Sequence, residues 1–385
     1  MISRRALLQS LSAFGVAPTF AAESRSKKTL VFLFLRGAVD GLSMVPPIGD
    51  PAYLALRPSL AIRKPLALDA TFGLHPSMAS LAPMFAAKRL AFVHAAGLPL
   101  QTRSHFDAQD FLESGTPGRR APDGWLNRAG RQRSSRAPLS MVALQNALPV
   151  SMIGEADALA FSSLKDFKVS GAGTAASFEA LYDQAVDEAL RVSGSEAFDS
   201  LALVKNEGLA ERAPQNGAAW PKTTIARRLQ DISRLVHADV GLSIAATEVG
   251  GFDTHAGQGA ESGQLANRLK ELFDALAVFA TDLGPRLDDV TLLAVTEFGR
   301  TAKENGTRGT DHGTASAALV LGGGVKGGRV VTDWPGLSAS ALHDGRDLRL
   351  TTDLRSVMTE CLDAVGLSRR EVFPDFNPAR VGLFA

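Results

Sequence analysis

The chain of 385 residues has 45% hydrophobic, 21% charged and 6% aromatic side chains, a composition typical of a globular protein and not of a disordered or collagen-like one. Its 41 basic and 40 acidic side chains give a formal net charge of +1, so charge gives no reason to expect a nucleic-acid or anionic-membrane partner. Cys361 is the single cysteine, which excludes an intrachain disulfide, a thiolate-rich zinc site, an iron–sulfur cluster and CxxC redox chemistry, so any metal must be bound by His, Asp and Glu.

The N-terminus has the parts of a twin-arginine signal peptide. Arg4 and Arg5 precede a weakly apolar run over residues 6–22, with a small-residue cleavage site after Ala21 or Ala22. The run is shorter than the roughly 20 residues that a spanning helix needs, and no cysteine for lipid attachment lies near the cut. We expect residues 1–22 to export the folded protein to the periplasm or beyond, with no stable membrane anchor; a chance Arg-Arg pair in a cytoplasmic N-terminus is the alternative.

Beyond the signal, short apolar runs alternate with amphipathic segments. The runs predict strands at residues 30–35, 90–95, 140–144, 241–247, 290–296 and 317–321. The amphipathic segments predict helices at residues 77–88, 106–114, 176–192, 225–237, 261–283 and 353–365. This alternation predicts an α/β fold with a doubly wound, mainly parallel sheet flanked by helices. We expect one domain over residues 23–385, with a surface insertion around residues 193–223.

Motif searches remove several common enzyme classes. The sequence contains no GxSxG elbow, no HExxH and no Walker A motif. Residues 322–328 match GxGxxG, but residues 329–331 are extended in pattern where a dinucleotide-binding fold needs a helix. We therefore expect a turn there, which argues against the alternative of a nicotinamide-dependent oxidoreductase.

Acidic and histidine side chains lie where predicted strands end or begin, at the edge of the sheet where open α/β folds bind ligands. The candidate metal ligands are Asp40, Asp253, His255, Glu297, Asp311 and His312. Asp253, His255 and His312 offer one carboxylate and two imidazoles, a donor set that predicts a Zn, Mn or Fe site. Asp40 and Glu297 offer oxygen ligands for a second ion of the Ca, Mg or Mn type, or orient the histidines. In the alternative interpretation Asp253 caps a turn and the histidines are ordinary surface residues.

Hydroxyl and arginine side chains precede the helix predicted at residues 106–114. In one interpretation Ser104 or Thr102 caps the N-terminus of that helix. In the other, a hydroxyl is a nucleophile at the positive end of the helix, next to a metal and flanked by Arg103. Six further arginines form a local basic stretch, which is either a solvated arm or a surface that attracts phosphate or sulfate: Arg119, Arg120, Arg128, Arg131, Arg133 and Arg136.

Five segments resemble one bacterial family. They are residues 36–41 (RGAVDG), 104–106 (SHF), 250–255 (GGFDTH), 297–301 (EFGRT) and 309–313 (GTDHG). On these motifs the mature chain is similar, over nearly its whole length, to the twin-arginine-exported family called domain of unknown function 1501. That family in turn resembles the alkaline phosphatase and sulfatase superfamily. The resemblance implies a doubly wound α/β fold with a one- or two-metal site for phosphoryl or sulfuryl transfer.

The resemblance also implies roles for single residues. Asp40 falls where the superfamily has a metal-binding Asp after its first strand, and Ser104 falls near its nucleophile. Asp253 and His255 resemble its Asp-plus-His pair for one metal, although their spacing is shorter than usual, and His312 resembles its last histidine ligand.

A departure from the superfamily pattern leaves two functions open. Where the superfamily usually has Asp-His after a strand, this chain has Glu297-Phe298. The absence of that histidine leaves open whether the chain binds a second metal ion. We expect an exported hydrolase of phosphate or sulfate esters that uses a divalent ion (Zn, Mn, Ca or Mg) and acts on a small-molecule or polymer ester. Ser104 would attack or position the ester, and Arg103 or Arg300 would balance its charge. The alternative is an exported, non-catalytic binding or assembly protein that works with a secreted partner.

Overall fold

The computed structural model describes residues 28–100, 102–133, 137–166, 200, 202–367 and 370–384. The predicted signal at residues 1–22 and the helix predicted at residues 176–192 lie outside the described residues, as do residues 193–199 and 201 of the predicted insertion. The statements below concern the described part of the chain.

A central sheet organises the fold. The strands of the protein are β1 (Thr29–Leu35), β2 (Leu66–Ala67), β3 (Gly73–Leu74), β4 (Leu90–Gly97), β5 (Met141–Ala143), β6 (Leu159–Ala160), β7 (Ile244–Val249), β8 (Val290–Val295), β9 (Ser316–Gly322), β10 (Arg329–Val331) and β11 (Thr352–Asp353). The central sheet has the strand order β10-β4-β9-β8-β1-β7-β5-β6, with β11 paired to β4, while β2 and β3 form a separate hairpin-like pair. The pairs of the central sheet are parallel except those of β9, which runs antiparallel to both β4 and β8.

Helices cover both faces of this sheet. The α-helices are α1 (Gly41–Met44), α2 (Tyr53–Leu56), α3 (Ala82–Ala86), α4 (His105–Ser114), α5 (Trp125–Gly130), α6 (Thr224–His237), α7 (Gln264–Leu283) and α8 (Leu354–Ala364). The 3-10 helices are Pro76–Leu81, Val150–Met152, Leu209–Glu211, Gly284–Asp289 and Arg370–Val372. Within the described residues, no helix is both long enough and apolar enough to cross a membrane.

The central strand β1 shows how the sheet is buried. Each of its seven residues is buried, and successive side chains enter opposite cores because a strand alternates its faces. Leu33 packs in the core that contains the apolar faces of α6 and α7. Phe32 packs in the core that contains residues of α4, α5 and α8. The predicted fold class, a doubly wound and mainly parallel sheet flanked by helices, is therefore confirmed.

Two helix predictions needed correction at their boundaries. The helix predicted at residues 77–88 is instead a 3-10 helix (Pro76–Leu81) followed by the short α3. Pro83 has no N–H group to donate and fits the first turn of α3, not a helix interior. The helix predicted from residue 261 begins at Gln264, because Gly263 has a φ of +122°.

The glycine-rich segment between β9 and β10 is a turn, as predicted. Gly324 and Gly328 both have positive φ angles, of 76° and 74°. Strand β10 follows the segment, whereas a dinucleotide-binding motif needs a helix there. The GxGxxG match therefore provides no helix N-terminus for a pyrophosphate.

Candidate metal centre

The loops that carry the candidate ligands meet at one edge of the central sheet. Strands β1, β4, β7 and β8 run in the same direction, so their carboxyl ends share that edge. Because β9 runs in the opposite direction, its amino end lies there as well. The segment before β9, which carries His312, is thereby brought to the loops that follow the other strands.

Four side chains converge at this edge: His105, Asp253, His255 and His312. The ligand atoms of His105, Asp253 and His312 all lie within 4.8 Å of one another. The Nε2 atom of His255 lies 2.9 Å from Asp253 Oδ1 and 2.9 Å from His312 Nε2. The same carboxylate oxygen is 3.3 Å from His312 Nε2 and 3.5 Å from His105 Nε2. We call these four residues the histidine cluster.

Hydrogen bonds orient all three imidazoles in the same sense, with Nδ1 facing an acceptor. The pairs are His105 with Glu297 Oε1 at 2.7 Å, His255 with Asp311 Oδ1 at 3.2 Å, and His312 with the carbonyl oxygen of Arg103 at 2.7 Å. Since a carboxylate or carbonyl oxygen only accepts, these partners assign the proton of each neutral ring to Nδ1. The lone pairs therefore lie on the three Nε2 atoms, as in histidines that bind a metal.

The donor set of the histidine cluster fits a divalent ion. Two neutral Nε2 atoms 2.9 Å apart, those of His255 and His312, repel each other unless a proton or a metal ion lies between them. The Nε2 atom of His105 is buried and makes no hydrogen bond with the described residues. Imidazole nitrogens with one carboxylate oxygen suit Zn²⁺ or Mn²⁺ better than Ca²⁺ or Mg²⁺, which prefer oxygen ligands.

The surroundings of the cluster favour an ionised Asp253 and shift the pKa values of two of the imidazoles in opposite directions. Burial raises the pKa of Asp253, but the hydrogen bond and charge of Arg300 outweigh it and lower that pKa to about 2. Burial lowers the pKa of His312. The hydrogen bond to Glu297 raises the pKa of His105, because the carboxylate stabilises its protonated form.

Arg300 lies buried beneath the cluster. One of its Nη2–H groups donates to Asp253 Oδ1 at 2.6 Å. Its other N–H groups donate to carbonyl oxygens of the surrounding loops: those of Gly37, Ala38, Phe252 and Thr310. With a side-chain exposure of 0%, the guanidinium orients Asp253 from inside the protein.

Glu297 is also buried, and its carboxylate faces the protein interior. Its Oε1 accepts hydrogen bonds from His105, from the Gln109 side chain at 2.9 Å and from the Gly37 amide at 2.9 Å, while Oε2 accepts from Thr296. Burial raises the pKa of Glu297, but these hydrogen bonds, that of His105 first, outweigh it and lower the pKa. The structure thus brings Glu297 to the ring of His105, behind the converging Nε2 atoms.

Asp40 lies in a separate, buried charge cluster with Arg57. The guanidinium binds its carboxylate through two bonds, Nη1 to Oδ2 at 2.5 Å and Nη2 to Oδ1 at 3.0 Å. Ser43 and Gln258 complete the hydrogen bonds that the described residues make to this carboxylate. Burial raises the pKa of Asp40, but the charge of Arg57 outweighs it and lowers the pKa. The structure does not bring Asp40 to the four converging ligand atoms.

Gln258 connects the two clusters. Its side-chain oxygen accepts hydrogen bonds from Thr254 Oγ1 and Thr310 Oγ1, both at 2.8 Å. Its amide nitrogen donates to Asp40 Oδ2 at 2.7 Å. Thr254 lies between Asp253 and His255 in the chain, and Thr310 lies two residues before His312. One buried side chain therefore holds both ligand loops at a fixed separation.

Asp311 supports the cluster from its exposed side. Its Oδ1 faces His255 Nδ1 and accepts a hydrogen bond from Asn305 Nδ2 at 3.0 Å. The hydrogen bond from Asn305 lowers the pKa of Asp311. Asp311 is thus placed to orient His255 and not to meet the Nε2 atoms.

Ser104 and Arg103 lie at the start of α4, one and two residues before His105. Ser104 caps the helix, although its Oγ accepts from the Asp107 amide over a long 3.5 Å. Arg103 has a half-exposed side chain, and its Nη2 is 3.2 Å from the buried carboxylate of Asp347. Its carbonyl oxygen orients His312, so this short segment joins α4 to the ligand loop before β9.

The sequence-based ligand set did not include His105. Its signal was nevertheless present, because the loop after the strand predicted at residues 90–95 leads directly to it. β4 runs parallel to β8 across the reversed strand β9, so this loop ends at the same edge. Applying the same rule to every predicted strand would have found it.

The predicted basic stretch is largely neutralised by its own surroundings. Arg128 is buried, bonds to Asp123 at 2.7 Å and donates to the carbonyl oxygen of Val372. Arg131 pairs with Glu155 at 3.0 Å. Arg136 lies outside the described residues.

A cavity of about 560 Å³ adjoins the histidine cluster. Phe298, Arg103 and Gly313 form the wall that the two share. The ring of Phe298 stacks on His105, with centroids 4.8 Å apart, and its centroid is 5.0 Å from that of His312. A molecule in this cavity would therefore contact the residues that surround the converging ligand atoms.

These features describe an α/β protein with a candidate metal centre at the carboxyl edge of a mainly parallel sheet. Residues 27–383 match the family described as Protein of unknown function (DUF1501), and the chain belongs to that family. No curated protein matches the sequence.

Solved structures give only distant likenesses. The C-terminal periplasmic domain of EptC from Escherichia coli, in complex with Zn, is 9% identical, with a TM-score of 0.37 over 77% of this chain and 73% of that one. The lipoteichoic acid synthase LtaP from Listeria monocytogenes is 7% identical, with a TM-score of 0.37 over 85% and 75%. The PsFucS1 sulfatase from Pseudoalteromonas sp. is 12% identical, with a TM-score of 0.39 over 93% and 72%. Alignments this loose assign neither a site nor an activity to this chain.

Proposed function

We propose that the protein is a metal-dependent hydrolase of phosphate or sulfate esters. One observation carries the proposal: three imidazoles direct Nε2 at the same carboxylate oxygen of Asp253, while acceptors hold each Nδ1. The sequence resemblance to the alkaline phosphatase and sulfatase superfamily supports the choice of phosphoryl or sulfuryl transfer. Fold and resemblance alone do not establish an activity, so the proposal depends on this site.

His105, Asp253, His255 and His312 would hold the ion. We propose Zn²⁺, because three imidazoles and one carboxylate are donors typical of zinc sites. A divalent ion held there supplies Lewis-acid chemistry, which polarises an ester oxygen and stabilises the charge that develops on it.

The surrounding residues have distinct tasks in this proposal. Arg300 keeps Asp253 ionised and fixed, since it donates to Oδ1 from the buried side. Arg103 is half exposed and lines the adjoining cavity, so it, and not the buried Arg300, is the arginine that can bind an ester oxygen. Ser104 is the candidate nucleophile: its oxygen would bond to phosphorus or sulfur as the alcohol leaves, and water would then release the phosphate or sulfate.

Elemental analysis and an ester panel test the proposal. We expect the purified protein to bind about one zinc per chain and to hydrolyse at least one of 4-nitrophenyl phosphate, bis(4-nitrophenyl) phosphate and 4-nitrophenyl sulfate. Asp253→Asn and His312→Ala should lose both metal and turnover. Asp375→Asn, which alters an acid with 83% side-chain exposure outside the cavity lining, is the matched control and should keep both. A protein without metal, with thermal stability unaffected by chelators, contradicts the proposal.

A non-catalytic binding or assembly protein is the second candidate. Phe298 favours it, because this buried ring, 3% exposed, takes the position where the superfamily pattern has a second-metal histidine. Glu297 and Asp40 are also engaged by internal partners, so the described site offers ligands for one ion. Bound zinc without turnover of any ester in the panel would favour this function over hydrolysis.

We further propose export by the twin-arginine route, on the basis of Arg4 and Arg5 and the run that follows them. Replacing both arginines by lysine should retain the protein, folded, in the cytoplasm. Cell fractionation measures this, and an unchanged periplasmic fraction would contradict the proposed route.

A further inference from the structure

The cavity beside the histidine cluster is lined by both apolar and basic residues. Leu98, Leu100, Leu350 and Phe298 provide apolar surface. Arg103 and Arg349 contribute the two guanidinium groups of its lining. At about 560 Å³, the volume is in the range of cavities that bind small organic molecules.

Acidic partners do not fully neutralise the two arginines of the cavity lining. Arg349 donates to the carbonyl oxygen of Ser340, and no carboxylate of the described residues lies within 4.0 Å of its guanidinium. Arg103 does have an acidic partner, Asp347, but shares it with Arg346, whose Nη1 is 2.8 Å from the same carboxylate. Asp344 is the one acid in the lining, and it lies 3.5 Å from His343. The cavity therefore favours an anion.

We propose that this cavity binds the organic part of the ester, and that this part is an apolar group with a second anionic group of its own. The apolar part packs against Leu100, Leu350 and Phe298, and the anionic group binds Arg349. This assignment rests on the proposed hydrolase in one respect only, the position of the ester group. Phe298 and Arg103 adjoin both the cavity and the histidine cluster, and they place that group next to the cluster. Binding of the organic acid itself requires no turnover.

Three ligands separate the two properties of the cavity. 6-Hydroxy-2-naphthoate has an apolar ring and an anionic group, 2-naphthol has the ring without the charge at pH 7, and acetate has the charge without the ring. We expect the naphthoate to bind at least about tenfold more tightly than either of the others, as measured by calorimetry or fluorescence, because a charge-assisted hydrogen bond adds to apolar burial. Equal affinities for naphthoate and naphthol overturn the proposal.

Variants of exposed residues test the assignment without endangering the fold. Arg349→Ala should weaken naphthoate binding about tenfold and leave naphthol binding unchanged, whereas Arg349→Lys should keep most of the affinity. Arg227→Ala, at an exposed position of α6, is the control. The proposal is wrong if Arg349→Ala and Arg227→Ala have the same effect.

The two proposals fail separately. Asp253→Asn should bind the naphthoate as the natural chain does, even where it turns over no ester. Charge-selective binding in a protein that hydrolyses neither an ester of the panel nor the phosphate and sulfate esters of 6-hydroxy-2-naphthoate would contradict the hydrolase and retain the cavity assignment. Turnover by a protein that does not distinguish naphthoate from naphthol would contradict the cavity assignment and retain the hydrolase.

Discussion

Two charge clusters lie near the same edge of the sheet and differ in burial and in the groups that face the carboxylate. Asp40 and Arg57 are almost fully buried, with side-chain exposures of 1% and 0%, and the carboxylate has a guanidinium bound to both oxygens. In the histidine cluster, Asp253 and His255 are 46% and 44% exposed, and three Nε2 lone pairs face the carboxylate. Each carboxylate has a buried guanidinium partner, Arg57 for Asp40 and Arg300 for Asp253, but only the second cluster also has imidazole Nε2 atoms that converge on its carboxylate at the protein surface.

The difference predicts a structural role for the first cluster and a metal-binding role for the second. A buried carboxylate must be paired inside the protein, because leaving it unpaired in a medium of low polarity costs several kcal/mol. A cluster open to solvent and supported by Glu297, Asp311 and Arg300 can accept a cation from outside. We therefore expect changes in the first cluster to reduce stability, and changes in the second to reduce metal binding.

Arg57→Met should have the largest effect on folding. It leaves Asp40 buried without its cation, which we expect to lower the free energy of unfolding by about 3–5 kcal/mol in urea denaturation. Arg63→Met, an exposed arginine of the next loop, is the control and should change it by less than about 0.5 kcal/mol. If Arg57→Met abolished metal binding at unchanged stability, the division between the clusters would be wrong.

His94 should make the region around the first cluster sensitive to acid. Burial lowers its pKa to about 4, below the ordinary value of about 6.5, so the unfolded chain takes up this proton first. The free energy of unfolding should therefore fall by about 3 kcal/mol as the pH decreases from 6.5 to 4. His94→Gln should flatten this part of the pH profile of urea unfolding. An equally steep profile in His94→Gln would assign the acid sensitivity to other groups.

Glu297→Gln should affect the second cluster alone. The amide oxygen can still accept from His105 Nδ1, but without the carboxylate charge the ring is a weaker ligand. We expect zinc affinity to fall by about 10- to 100-fold in a competition assay with a chelating dye. Glu155→Gln, at a side chain that is 82% exposed, is the control. Unchanged zinc affinity would show that Glu297 does not tune His105.

Ser104→Ala should have the smallest effect on stability. Its capping bond to the Asp107 amide is long, at 3.5 Å, so we expect a loss of only about 0.5 kcal/mol. Thr223→Ala, which removes the 3.2 Å cap of α6, is the matched control and should lose about 1 kcal/mol. In the proposed hydrolase Ser104→Ala abolishes turnover and Thr223→Ala does not, so full turnover in Ser104→Ala would exclude Ser104 as the nucleophile.

The sequence predicted β1, β4, β5, β7, β8 and β9 but not the two-residue strands β2, β3, β6 and β11, and it predicted the site only in part. Continuous apolar runs identify strands buried on both faces, and positions after strands brought Asp253 and His255 to the correct edge. The direction of β9 was not predictable, because a buried apolar run has the same pattern whether it pairs parallel or antiparallel. That reversal is what brings His312 to the cluster.

Side-chain pairing was the other part that the sequence could not predict. Nothing local to Arg57 indicates that it neutralises Asp40, or that Gln258 holds two ligand loops together. Both depend on contacts between distant segments. The boundary error at residues 77–88 has a local cause, Pro83, and was therefore avoidable.

The position of β1 in the chain determines when the central sheet can form during synthesis. The first strand of the described chain pairs with β7 and β8, whose residues lie more than 200 positions further on. At ribosomal rates of about 5–20 residues per second, β1 waits roughly 10 to 45 s before β7, the earlier of its two neighbours, has been synthesised. Through this interval the apolar β1 segment lacks both of the strands that flank it in the folded sheet, so the centre of the sheet forms only after most of the chain has been made.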